Sequence, residues 1–265
     1  MNSPLNSSLN SPLSSPMKQA FRTALDHAHD RGERLRFWLR DDDATEPSAP
    51  LERLLDLCAG HGVPPVLAVI PARARADLAP ALPAWVRVAQ HGWAHENHAG
   101  PGEKMQELGP QRPAPQVLSE LAQGLDRLRG LFPDHLIELL VPPWNRIAPE
   151  VMDGLPGIGI RALSAYGKVT TTALPLLNPQ IDPIDWHGSR SLHDADRLWH
   201  KLALAAAQGE ERPIGILTHH LDHDAAIWAF LEEVMTLTDH PACRWVAPDD
   251  IIPGLITGSP DGSLT

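Results

Sequence analysis

Short runs of branched and aromatic residues recur along this chain, each separated from the next by a stretch with helical spacing. The strand-like runs lie at residues 34–40, 65–71, 84–89, 136–141, 160–163, 176–181, 214–218 and 243–247. Helical spacing covers 18–30, 51–58, 74–79, 116–131, 149–155, 195–208 and 225–237, and Gly60, Gly62 and Pro133 mark two of the stops. Strand and helix thus alternate about seven or eight times, which favours a parallel β/α architecture. At 265 residues the chain suits a closed or nearly closed barrel.

The residues that a hydrophobic core has no use for fall at the C-terminal ends of the strands. Asp41-Asp42-Asp43 follows the first run, Gln90-His91-Gly92-Trp93-Ala94-His95 the third, and Pro142-Pro143-Trp144 the fourth. Asp182-Pro183-Ile184-Asp185-Trp186 and His219-His220 close two later runs. In a barrel these ends converge on one rim, where such folds keep their chemistry. A helix or tight turn after the third strand puts His91 and His95 on one face, able to grip one metal ion. A carboxylate from the acidic triplet completes a two-histidine, one-carboxylate set. That set leaves coordination positions open for water and substrate, which suits catalysis.

Composition narrows the partners. A net charge of −11 with no lysine- or arginine-rich block excludes nucleic acid and anionic membrane as expected partners. Two cysteines, Cys58 and Cys243, do not suggest a disulfide framework. Residues 1–19 read as a disordered Ser/Asn/Pro-rich tail without the basic start and apolar core of a secretory signal. The expected compartment is the cytoplasm. Residues 20–255 are expected to form one domain and 256–265 a C-terminal tail. Oligomeric state is not legible.

The order of these motifs resembles the polysaccharide deacetylase family, metal-dependent enzymes that remove N- or O-acetyl groups from sugars. The resemblance spans roughly residues 35–246. It implies a distorted (β/α) barrel of about seven parallel strands. It also implies Zn²⁺ or another divalent ion held by Asp43, His91 and His95, with Asp42 as catalytic base. The register could slip by one, since Asp41 precedes them. Gly92 stands where the family has a hydroxyl residue. Val141 stands where it has an arginine that steadies the base, leaving Arg40 or Arg146 to stand in. His219, or His220 in a slipped register, is the implied general acid, with Asp185 holding its imidazole. Trp144 supplies an oxyanion-stabilising N–H, and Trp186 and Leu217 line a pocket for the acetyl methyl.

The chemistry explains why such residues are needed. Amides resist water because hydroxide is scarce and an amine anion leaves poorly. A bound divalent ion makes water more acidic and polarises the carbonyl. Positioned acids and bases add ~10²–10⁴-fold each. The resulting expectation is a metal-dependent hydrolase that deacetylates an N-acetylated sugar or related small amide. Two other readings stand beside it: a catalytically impaired carbohydrate-binding relative, and a non-sugar amidohydrolase on the same barrel. Plainer roles are expected for Trp38, Trp199 and Trp228 in the core, for His220 and His223 in structure, and for Asp41 as a solvated or strand-capping carboxylate.

Overall fold

A computed structural model describes residues 15–166, 174–210 and 212–257. Seven strands among them form one sheet: β1 (Leu35–Ala44), β2 (Pro65–Val69), β3 (Arg87–His91), β4 (Leu136–Val141), β5 (Ala162–Leu163), β6 (Ile214–Thr218) and β7 (Cys243–Trp245). Every pairing is parallel, in the order β5-β4-β3-β2-β1-β6. Phe37 pairs with Ile214 on one edge and Trp245 on the other. β7 therefore occupies, low on β1, the edge that β2 takes up from Leu39 onward.

Helices α1 (Pro16–Asp30), α2 (Ala49–His61), α3 (Leu78–Ala81), α4 (Ala114–Leu131), α5 (Pro149–Gly154), α6 (Ala195–Ala207), α7 (Ala225–Thr238) and α8 (Pro248–Thr257) accompany the sheet. Several of their starts are fixed by side chains. Ser48 accepts the Leu51 N–H, Asp194 that of Arg197, and Asp224 those of Ala226 and Ile227, satisfying first-turn donors that have no partner inside a helix. Strand alternation sorts the core into two layers. Phe37, Leu39, Ile214 and Ile216 face outward, packed with Phe21, Leu25, Leu198, Trp199 and Trp228 of the helices. Trp38, Val66, Ala68, Ala89, Leu139 and Val141 face inward, together with Val246 and Ile251 from the chain's last segment. Gly215 lies beside Trp38, whose indole stands 2.5 Å from where a Cβ would be. The three tryptophans expected in the core are all buried.

β5 and β6 do not pair with each other directly. Between them, Leu176 bridges to Leu163 and Ile181 to Ile216, both in parallel sense. The sheet is thus curled into the expected barrel-like form, its two edges laced by this segment. The sequence reads 176–181 as a strand, but the structure makes it two bridges, because Pro179 has no N–H to donate to a ladder. Two other boundaries differ. Helix α1 begins at Pro16, inside the stretch 1–19 read as tail, and α8 occupies residues where helix breakers, including its internal Pro253, hid a helix. Residues 1–14 and 258–265 lie outside the described residues. No described helix is long and apolar enough to cross a membrane.

Candidate metal centre and active site

The mouth of the barrel is shaped first by an irregularity in β1. Asp41 pairs with Leu67 and Ala44 with Val69, so three steps on β1 oppose two on β2, a β-bulge. Strict alternation would send Asp43 to the same side as Asp41. Instead Asp43 adopts φ 72°, and its carboxylate meets the histidines of the next-but-one strand. Asp42 keeps the inward side shared with Trp38 and Arg40. One extra residue thus brings two consecutive carboxylates to the same mouth.

His91 is the last residue of β3, and its Nδ1 lies 2.9 Å from the Val141 carbonyl of β4. With the proton on Nδ1, Nε2 is left free as a ligand, the usual arrangement behind a metal-binding imidazole. The chain then turns without forming a helix, through Gly92 at φ 57° and His95 at φ 56°. This turn brings the two rings to 5.1 Å between centroids. Both Nε2 atoms converge on Asp43 Oδ1, at 3.2 Å from His91 and 3.4 Å from His95. Donor atoms of the three residues lie within 4.8 Å of one another. Asp43 Oδ1 is buried with no hydrogen bond of good geometry. Two imidazole nitrogens and a carboxylate oxygen gathered around an unsatisfied point suit a divalent ion.

The charges fit this arrangement. Burial works against ionised Asp43, but the His91 imidazole beside it, with the charges of His219 and His95, holds its carboxyl well below the usual range. Burial likewise works against His91, yet Asp43 and Asp42 raise its pKa. His95 is lowered by burial and by His91.

The turn is held by Glu107, a residue that sequence reading passed over. Its buried carboxylate accepts the N–H groups of Trp93 (3.2 Å) and Ala94 (2.7 Å). It also explains Gly92, since a Cβ there would stand 2.0 Å from Glu107 Oε2 and 2.6 Å from Pro143 Cγ. Gln90, fully buried, adds Nε2 bonds to the Gly92 and Leu121 carbonyls at 2.9 Å each.

Asp42 sits beside this cluster, 2% exposed. Arg40, 0% exposed, grips it with two nitrogens: Nε is 2.9 Å from Oδ1, and Nη2 donates to Oδ2 at 3.0 Å. The same guanidinium donates to Ser164 Oγ at 2.8 Å, the Ser164 carbonyl at 2.9 Å and Asn145 Oδ1 at 2.9 Å. Of the two arginines proposed to stand in for the position at Val141, Arg40 is the one at the site. Arg146 turns away and donates to the Met105 carbonyl at 2.8 Å.

Across the mouth, His219 Nε2 lies 3.9 Å from Asp42 Oδ2. Its ring meets the Trp186 ring edge-on at 4.6 Å. The carboxylate that holds this tryptophan is Asp182 rather than Asp185. Asp182 feels the His219 charge and accepts the Trp186 indole N–H at 2.8 Å, while burial raises its pKa. Asp185 turns into its own loop and accepts the Ser189 N–H at 3.2 Å. Trp144, at φ 53°, packs its ring 4.3 Å from His95. Leu217 is buried, and alternation gives it the inner face of β6 with Gly215. Asp43, His91, His95, Asp42 and His219 are therefore brought together, Trp144 and Trp186 flank them, and Asp185 stands apart.

Asp41 is corrected too. Far from solvent, it is 0% exposed and bonds His220 Nδ1, the His220 N–H at 2.9 Å and the Thr218 hydroxyl at 2.7 Å. It takes the outward side of β1, so the inward pair is Asp42 and Asp43. His223 accepts the His219 N–H at 3.3 Å, and burial pushes its imidazole down to about 4.

Comparison with solved structures places this fold. A protein from Mycobacterium smegmatis assigned as a polysaccharide deacetylase aligns with TM-score 0.64 at 14% identity, over 85% of this chain and 91% of its own. A family 4 carbohydrate esterase from Streptomyces lividans, solved with acetate, aligns with TM-score 0.55 at 17% identity, over 82% and 95%. A polysaccharide deacetylase from Bacillus cereus aligns with TM-score 0.53 at 14% identity, over 81% and 91%. No protein-family model matches the chain, and no curated protein matches its sequence. The chain has the fold of the polysaccharide deacetylases, also called family 4 carbohydrate esterases.

Proposed function

We propose that this protein is a metal-dependent hydrolase that removes the acetyl group from an N-acetylated sugar or a related small amide. The observation that carries the reading is the convergence of His91 Nε2 and His95 Nε2 on Asp43 Oδ1, with Asp42 and His219 on either side of the same mouth.

Asp43, His91 and His95 would hold a divalent ion, zinc being the expected one. When bound, it would polarise the acyl carbonyl and make water a competent nucleophile at neutral pH. Asp42 is the base that takes the water proton, and Arg40 fixes its position through two nitrogens. His219 gives a proton to the departing nitrogen. Asp182, together with the Trp186 indole, supports that imidazole, a role that falls to it rather than to Asp185. The Trp144 N–H stabilises the developing oxyanion. Trp186 and Leu217 wall a small apolar space for the acetyl methyl.

The impaired-enzyme reading drew on the arginine missing at Val141, and the Arg40 contact with Asp42 removes that motive. The substrate is expected to be a saccharide. The free cysteines Cys58 and Cys243 suit the cytoplasmic compartment expected for the chain. Metal analysis with acetate-release assays on N-acetylated sugars and simple amides tests the reading. About one zinc per chain is expected. It should be lost in His91→Ala but kept in Asp42→Asn, with turnover abolished in both. A protein that takes up no metal, or an Asp42→Asn variant that turns over normally, rules the proposal out.

A further inference from the structure

One cation at the rim has no part in the deacetylation chemistry. The 3-10 turn Pro71–Arg73 follows β2 and lies against the loop that carries the two histidines, with the Ala72 N–H donating to the Trp93 carbonyl at 2.9 Å. Arg127 of α4 pins this turn on both sides, donating to the Pro71 carbonyl at 2.8 Å and the Ala74 carbonyl at 2.9 Å. The backbone beneath Arg73 is thus fixed. Its own side chain is exposed, with no ion-pair or hydrogen-bond partner among the described residues. Among the carboxylates of the adjoining segments, Glu46 and Asp77 are taken by Arg75, at 3.2 Å and 2.9 Å, and exposed Glu96 of the histidine loop makes no ion pair with Arg73.

The site's own carboxylates are matched as well. Asp42 is paired with Arg40, Asp41 with His220, and Asp43 with two imidazoles. Arg73 is next to Ala72, whose N–H bonds the carbonyl of Trp93, a residue of the loop between the two histidines. In a chain of net charge −11, a guanidinium on a pinned turn at the mouth, left unpaired, marks a place for an anion from outside. A planar guanidinium suits a carboxylate or a phosphate, pairing with either through two N–H groups.

We propose that Arg73 binds an anionic substituent, a carboxylate or a phosphate, on the N-acetylated sugar that this site acts on. The inference rests on the deacetylase reading and adds the substrate's charge to it.

Binding of three sugars to zinc-loaded Asp42→Asn protein, followed by calorimetry, tests it. The probes are N-acetylglucosamine, N-acetylglucosamine 6-phosphate and N-acetylmuramic acid. At least one anionic sugar is expected to bind about tenfold tighter than the neutral one, the gain of one charge-assisted pair. Adding Arg73→Gln should erase that preference and leave neutral-sugar affinity unchanged. Whichever anion is favoured tells carboxylate from phosphate. Equal affinities, no binding of any of the three, or a preference that survives Arg73→Gln overturns the proposal. Acetate release by the unsubstituted enzyme separates the two claims. A charge preference without acetate release counts against the hydrolase and leaves the anion site standing. Release from the neutral sugar with no charge preference counts against the anion site alone.

Discussion

A guanidinium with no exposure is tolerable only when it is paired and bonded, and Arg40 donates from Nη1 and Nη2 to Asp42, Ser164 and Asn145 while its Nε makes an ion-pair contact with Asp42. Lysine would keep the charge but lose the planar fork. Arg40→Lys is therefore expected to lower kcat for acetate release by roughly 10²-fold, the scale of a misplaced catalytic group. Metal content should be unchanged, and zinc analysis beside the assay checks both. A second expectation concerns Glu107, which holds two N–H groups of the metal turn. In Glu107→Gln one acceptor oxygen becomes a donor, so zinc affinity should fall about 10–100-fold, as for other groups that orient ligands from behind. Competition with a chromogenic chelator measures it. These two residues differ in how readable they were. A strand's period of two places residues 40 and 42 on one face, so Arg40 was in view as a partner for Asp42. Glu107 lies in an irregular Gly/Pro-rich loop with no period to read, and only the folded loop carries it to Trp93 and Ala94. Asp182 and Asp185 share one motif, and their spacing alone does not say which holds the Trp186 indole.

The β1 bulge and the turn after β3 act as a pair of elements, since each gives one side of the metal cluster. Non-glycine residues at positive φ gather here: Asp43, His95, Trp144 and Asn145. Such strain costs about 1–3 kcal/mol per residue and persists only where the surroundings hold it. Gly92 is the weak point of the turn, because it combines φ 57° with Glu107 and Pro143 pressed against its missing Cβ. Gly92→Ala is expected to destabilise the protein by about 1–3 kcal/mol and to weaken zinc binding at least as much as Glu107→Gln does. Urea denaturation with metal titration checks both, and unaltered metal affinity would show that the turn does not set the ligand geometry. The strands and helices themselves were readable because their periods are plain, as in Leu51, Leu54, Leu55 and Cys58 of α2. The bulge was not, since Asp-Asp-Asp carries no mark of which residue is extra. The bridging segment 176–181 and helix α8 were obscured by prolines, which sequence reading takes as breaks while tertiary contacts hold the chain around them.

At the scale of the whole molecule, the curled sheet is fastened above its core by a buried pair, Asp41 of β1 with His220 just beyond β6. Alternation of strands and helices foretold the sheet and its parallel sense. It did not foretell this fastening, because Asp41 belongs to the outward face only once the bulge is placed. Burial opposes charge on both partners. Even so, the His220 charge and hydrogen bond lower the Asp41 pKa, and the Asp41 carboxylate raises that of His220. The His220 contribution is therefore complete below its ordinary value of 6.5 and lost as pH rises through its raised folded value. The Asp41 contribution is present above 3.8 and lost only as pH falls through its depressed value. His223 works in the other sense. Burial holds it at about 4, so folding must exclude a proton that the unfolded chain binds below 6.5. Stability from His223 is present above 6.5 and lost between there and about 4, by up to about 3 kcal/mol at 1.36 kcal/mol per pH step. Chelator-treated protein should thus melt highest near pH 6.5 and lower on both sides. His223→Gln, whose amide oxygen still accepts the His219 N–H, is expected to flatten the acid side. His220→Gln, which keeps a donor toward Asp41 but cannot titrate, should lower the maximum and flatten the alkaline side. Melting curves from pH 4 to pH 9 decide the matter, and two variants that keep the parent's profile would remove His220 and His223 as its cause.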